Sequence, residues 1–321
     1  VAGGRSGRAV KATATTRHPR LRVGSREIRV HREARAEDDG YRSALLPGLR
    51  SSDDARLLAE EIAFASGRLL ALEATPPGLY AEVRALAEED LEQATWMCFL
   101  IAYLSPLDSE DPFVGIRLAL AADGSVQHAA NGVSPDGGAW GWYAAGDLLA
   151  LDEVPLGPRT SHDPTRGTET LLAYRHWAEQ AGAQASAFVG DPGWSPQRRF
   201  ERLFERLALP GFARMGRYDL LVTLGRLGLY ELRPDALNLS GARGASAGDL
   251  ATLAAKRAFA IGDPLLLERR ALKLAEATSV PIETLDLALA NWGVGERATL
   301  GFRTETCDRH ALERVLEALK L

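Results

Sequence analysis

Asp90-Leu91-Glu92-Gln93-Ala94-Thr95-Trp96-Met97-Cys98-Phe99-Leu100-Ile101-Ala102-Tyr103-Leu104 begins polar and ends in nine consecutive apolar residues, Trp96 to Leu104. Wound at 3.6 residues per turn, such a run is apolar on every face, as expected of a helix surrounded by the rest of its domain. The pattern predicts one helix from about Tyr80 to Leu104, with the fold assembled around its second half. Nine apolar residues are well short of the roughly 20 that cross a bilayer, so no membrane span and no membrane partner are expected.

Working outward, Leu57, Leu58, Ile62, Phe64, Ala65, Leu69 and Leu72 recur at helical spacing from Ser52 to Glu73, behind the capping candidates Ser52 and Asp53. Thr75-Pro76-Pro77-Gly78 stops that helix. On the other side, residues from about 105 to 164 are rich in Gly, Pro, Asp and Trp, with one helical run near Phe113 to Ala122. A stretch this irregular reads as functional loop or as insertion. Further helices are expected over Thr168 to Gly182, from Pro196 behind Ser195, and over Gly216 to Gly228, Gly248 to Phe259, Pro264 to Thr278, Ile282 to Trp292 and His310 to Leu321. Ala, Leu, Glu and Arg outnumber β-formers throughout, so the fold class is all-α.

The organisation is a helical domain over residues 41–321 behind a basic arm over residues 1–40. The arm carries Arg5, Arg8, Lys11, Arg17, Arg20, Arg22, Arg26, Arg29, Arg32 and Arg35 and shows no helical or strand periodicity, so it is expected to be disordered. It reads either as a DNA-binding arm or as a solvated tail, including upstream sequence from a misplaced start. The 321 residues carry a net charge of −5, so any case for nucleic acid has to rest on local patches. Two cysteines, Cys98 and Cys307, fit a reducing compartment, and the location expected is cytoplasmic.

Chemistry-bearing motifs are few. His162 and His176 lack HxxxH or HExxH spacing, so no metal is expected. Walker, GxGxxG and GxSxG signatures are absent from the sequence, and no cofactor is implied. The most informative segment is Phe200 to Leu224. There one helix ends in Leu209-Pro210-Gly211-Phe212-Ala213-Arg214-Met215-Gly216 and a second begins near Arg217. Glycines in such a turn let a phosphate approach, and the first-turn N–H groups of the following helix point at it. Arg198, Arg199, Arg202, Arg206, Arg214, Arg217 and Arg226 outweigh Glu201, Glu205 and Asp219 in this region. Leu-Pro-Gly is also an ordinary interhelical break, and arginines also solvate helix faces.

A second feature is Gly262-Asp263-Pro264, a break with Asp263 placed to cap the next helix. Beside a cleft, that acid would serve as general base or would stabilise a cationic sugar. Trp140, Trp142 and Trp194 lie in loop-like sequence, available for base stacking or for partial core packing.

Asp90 to Leu104 is similar to a motif of the alpha-glutamyl/putrescinyl thymine pyrophosphorylase family, and Leu209-Pro210-Gly211 resembles the helix-hairpin-helix of the same superfamily. The resemblance spans roughly Ala81 to Trp292. It implies a helical fold similar to DNA glycosylases and an action on diphosphate-activated hydroxymethyluracil in DNA, or on its glycosidic bond, with DNA as partner and a small amine or amino acid as co-substrate. It further implies that Pro210, Gly211 and Gly216 form the phosphate-binding hairpin, assisted by Arg214 and Arg217, and that Asp263 matches the glycosylase-type catalytic aspartate. The interval from Tyr218 to Ile261 between hairpin and Asp263 departs from the glycosylase pattern and leaves Asp219 and Asp235 as competitors. The alternative is a non-catalytic helix-hairpin-helix protein that binds DNA or another partner, in which Asp263 is only a cap.

Overall fold

In the computed structural model of the chain, residues 20–23, 26–29, 37–122, 151, 154–239 and 249–321 are described. Contacts divide it into two units, Val1–Glu37 and Asp38–Leu321. The first contains a short antiparallel pair, β1 (Arg20–Val23) and β2 (Arg26–Arg29), with Arg20 opposite Arg29 and Val23 opposite Arg26. The remainder of the arm up to residue 36 lies outside the described residues.

Among its described residues the second unit holds helices joined by turns and irregular segments, and no strand. α1 (Ser52–Ala74) is capped by Ser51 rather than Ser52, and the Ser52 N–H instead reaches Asp39 at 2.8 Å. The single helix expected from Tyr80 to Leu104 is two, α2 (Leu79–Leu86) and α3 (Leu91–Leu104). Asp90 divides them, because its carboxylate accepts the Gln93 N–H at 3.0 Å and starts a fresh helix. α4 (Val114–Ala122) follows. The irregular region beyond it, including Trp140 and Trp142, falls largely outside the described residues. Chain description resumes through a 3₁₀ turn at Pro164–Arg166 into α5 (Glu169–Gln180) and α6 (Gln184–Val189), the latter too short to read from sequence. Next come α7 (Pro196–Arg206), α8 (Arg214–Arg226), α9 (Leu250–Phe259), α10 (Pro264–Thr278), α11 (Thr284–Val294) and α12 (Arg309–Leu319).

α3 is central, as its sequence requires: every residue from Gln93 to Leu104 is buried. It packs on α8, α2, α4 and α6, while α1 lies against α11, α12 and α8, and α9 against α11. Aromatic rings join the layers. Phe99 of α3 stacks on Tyr174 of α5 at 3.8 Å and meets Phe212 edge-on at 5.3 Å. No helix among the described residues is long and apolar enough to cross a membrane.

Candidate functional site

The hairpin predicted around Leu209-Pro210-Gly211 is formed by α7 and α8. Ser195 caps α7 by accepting the Arg198 N–H at 3.2 Å, and Pro196 fills its first position, where a missing N–H costs nothing. The turn closes through the Phe212 N–H to the Leu209 carbonyl at 3.1 Å, with Gly211 at φ 76° in the left-handed region that favours glycine. α8 begins at Arg214, one turn earlier than expected, behind Ala213, which supplies no side-chain cap.

The close approach that the glycines permit is made by the protein itself. A Cβ on Gly211 would stand 2.1 Å from Thr170 Oγ1, and one on Gly216 2.2 Å from Ser161 Oγ. Thr170 Oγ1 donates to the Pro210 carbonyl at 2.8 Å, pinning the turn to α5. Of the hairpin residues, Pro210 is exposed, Gly211 is half-buried and Gly216 is buried.

The hairpin's arginines also turn inward. Arg214 has a side chain only 4% exposed; its Nε lies 3.0 Å from both Asp249 oxygens, its Nη2 2.5 Å from Asp286, and its Nη1 donates to the Leu237 carbonyl at 2.9 Å. Asp286 is shared with Arg159, whose Nη2 reaches it at 2.8 Å and whose Nε reaches Asp219 at 2.9 Å. Asp219, Arg159, Asp286, Arg214 and Asp249 thus form an alternating ladder that ties α8, α9, α11 and the residue-159 segment together. Burial alone would lower the affinity of Arg159 and Arg214 for their protons, but the carboxylates of Asp219, Asp286 and Asp249 overcome it and hold both guanidinium groups above their ordinary range. Burial likewise pushes Asp249 up, and Arg214 with Thr252 outweighs it, so that its carboxyl sits below the usual carboxylate range.

Arg217 is half-buried, donates to the Phe204 carbonyl at 2.9 Å and lies 4.5 Å over the Phe204 ring. Arg214 does not present its guanidinium to solvent as a phosphate clamp would, and Arg217 does so at most in part, its Nη1 being taken by the Phe204 carbonyl. Chemically the ladder is a set of paired buried charges in which Arg159 Nη1 is left without a hydrogen-bond partner, suited to fixing the angle between helices. Beside it Asp219, Arg68, Tyr80, Ser105 and Thr223 help line a cavity of about 10 Å³, room for one water.

Asp263 stands apart from the ladder. It is exposed, and its carboxylate accepts the Leu266 N–H at 3.0 Å as the cap of α10. Asp235 is exposed as well. Of the acids weighed from sequence, only Asp219 joins the hairpin's network. Arg159, Asp249 and Asp286 were missed; the one available signal was Asp286 set between Leu285 and Leu287. His162 accompanies the hairpin too, its Nδ1 2.8 Å from the Tyr103 hydroxyl, which burial pushes above its ordinary range.

Two open grooves lie among the described residues. One, of about 820 Å³, runs past Phe113, Arg117, Thr299 and Arg303. The other, of about 380 Å³, lies between α5, α6 and α7 and is lined by Trp177, Gln180, Ala181, Ala187 and Arg206. No cluster of three or more His, Cys, Asp or Glu side chains that would hold a metal occurs among the described residues.

Residues 159–303 match the family model for alpha-glutamyl/putrescinyl thymine pyrophosphorylase, clade 3. The match opens on Arg159 and contains the hairpin, the whole ladder, Asp263 and the 380 Å³ groove. It covers less than half of the 321 residues, leaving α1 to α4 and α12 outside. No curated protein and no solved structure matches the chain.

Proposed function

We propose that this chain is a base-modifying enzyme that acts on a diphosphate-activated, thymine-type base in DNA and replaces the diphosphate with a small amine or amino acid. The observation that carries the reading is the family match over residues 159–303, because it coincides with the part of the chain where the hairpin, the ladder and an open groove come together. In this reaction the amine lone pair forms a C–N bond at the exocyclic methylene carbon. The C–O bond breaks, diphosphate leaves with its electron pair, and the ammonium proton passes to solvent. A base in a duplex is reached by extruding it from the stack.

Position favours chemistry on the base over cleavage of the glycosidic bond. The latter asks for a carboxylate facing the sugar from a cleft, whereas Asp263 is exposed and committed to capping α10. The hairpin turn at Pro210 and Gly211 would meet phosphate through the Gly211 N–H, Pro210 having none to donate, with Arg214, Gly216 and Arg217 supporting it from behind. A second reading, a DNA-binding module without turnover, is favoured by one observation: the carboxylates closest to the hairpin are already bonded to arginines.

The test is an oligonucleotide carrying 5-(diphosphooxymethyl)uracil, incubated with the full chain and either glutamate or putrescine. Amine-dependent release of diphosphate with the matching mass gain on the base is expected. Binding of the oligonucleotide without release for either amine would transfer the chain to the second reading, and absence of both would remove DNA from the account.

A further inference from the structure

With Arg214 and Arg217 turned inward, the arginines of this region left at the surface are those on the outer side of α7. Arg198, Arg202 and Arg206 are exposed and recur every four residues, forming one stripe. Arg202 is 3.0 Å from Glu205, a surface pair of little strength. Arg206 makes no such pair among the described residues; its guanidinium lies 5.2 Å over the Trp194 ring, at the mouth of the groove between α5, α6 and α7. That cation–aromatic contact holds the guanidinium in place while leaving its N–H edges free to donate.

The groove has the parts of a nucleotide slot. Trp177 forms an aromatic wall, half-buried and braced by Phe188 edge-on at 5.2 Å and by Tyr174 at 5.6 Å. Gln180 contributes an amide, bonded at 2.9 Å to the ring of the exposed His176. Ala181 and Ala187 keep the space open, and about 380 Å³ lies within the range of small-ligand sites. A flat ring, an amide that can read polar ring edges, and a fixed guanidinium together suit a single unstacked nucleotide.

We propose that the groove between α5, α6 and α7 binds one unpaired pyrimidine nucleotide of a DNA strand, with the base stacked on Trp177, its polar edge against Gln180 and its phosphate on Arg206. This rests on the proposed action on DNA and gives it a place: the slot holds the extruded base or its immediate neighbour. It also shifts the phosphate contact from the hairpin arginines expected from sequence to the outer stripe of α7.

The probe is a single strand of ten thymidylates, titrated into the full chain and followed by fluorescence anisotropy, with a duplex of equal length alongside. Arg206→Ala and Gln180→Ala change exposed side chains and leave the core intact. Trp177→Leu keeps a hydrophobic filler against Phe188, and its folding is checked by melting temperature. Affinity for the single strand is expected to fall about fivefold or more with Trp177→Leu, in line with stacking losses of ~1–3 kcal/mol per base. Arg206→Ala is expected to reduce the slope of log affinity against log salt by about 0.7. Arg269→Ala with Lys273→Ala, on the exposed side of α10, should leave both unchanged.

Retained affinity in Trp177→Leu and Arg206→Ala, in a chain that still binds DNA and releases diphosphate, would overturn the slot and leave the proposed reaction standing. Equal losses for single strand and duplex would reduce the surface to a backbone contact and overturn the base-stacking assignment. A native chain that binds neither would overturn slot and reaction together.

Discussion

Asp263 separates two roles that sequence alone leaves merged. Its carboxylate caps α10, so Asp263→Ala is expected to destabilise the fold by about 1 kcal/mol, while Asp263→Asn, which caps equally well, changes stability by only a few tenths. Urea unfolding of the two variants measures this. Diphosphate release should survive in both; loss of turnover in Asp263→Asn at unchanged stability would restore the acid to a catalytic role. Gly211 is a second position where a single atom decides. Its φ of 76°, and the 2.1 Å that would separate an added methyl from Thr170 Oγ1, predict that Gly211→Ala costs about 1–3 kcal/mol. Adding Thr170→Ala should recover the steric share and leave the backbone share, a split that a double-mutant cycle reads directly. Leu-Pro-Gly was legible as a break because Pro and Gly interrupt helices in any context. What fills the space beside Gly211 was not, since Thr170 lies forty residues from Pro210 in sequence and only the folded chain brings them together.

Among elements, α3 could be recognised because a run with no polar face has one place to go, and the aromatic stack of Phe99 on Tyr174 is the result. The break at Asp90 was less visible, since the acids before it read equally well as the polar start of one long helix. The basic character of α7 and α8 was legible too, but its destination was not. Arg199 bonds the Val189 and Glu231 carbonyls, Arg226 pairs with Glu283 and Glu73, and Arg214 enters the ladder, leaving Arg198, Arg202 and Arg206 outside. An arginine on a helix buried on most sides needs its partners before its direction is fixed, and for Arg214 they come from positions as distant as Asp249 and Asp286. Asp286 serves both ladder arginines, so Asp286→Ala leaves two buried cations short of an acceptor and is expected to cost about 3–5 kcal/mol by chemical denaturation. The pH dependence has a definite sign. Asp249 is held below its ordinary range in the folded chain, so its contribution is fully present above the unfolded value of about 3.9 and is lost as pH falls through the lower, folded one. Asp249→Asn should therefore be less stable than the native chain at neutral pH, with the gap narrowing below about pH 4 in a series of melts.

Charge is divided unevenly over the molecule. Residues 1–37 hold ten Lys and Arg against three Asp and Glu, leaving residues 38–321 with 28 against 40, a net charge of −12. The helical unit has its own core: among the described residues its buried members run from Leu46 to Leu319, and the partly buried side chains packed on it start at Tyr41. A chain beginning at Asp38 should accordingly melt within about 2 °C of the full chain, a smaller shift than one mutational kcal/mol produces. Under the proposed action on DNA, removal of the arm should change the binding in kind. An overall charge of −12 repels phosphate while the arm attracts it, so removal of the arm is expected to weaken affinity and flatten its salt dependence. Discrimination between a thymidylate strand and a duplex belongs to Trp177 and Gln180 in the helical unit, and should persist without the arm. If the shortened chain melts normally but binds neither form at low salt, the arm is the DNA-binding element and the helical unit contributes no base recognition. If it binds weakly and still prefers the single strand, the arm supplies attraction and the groove supplies selection.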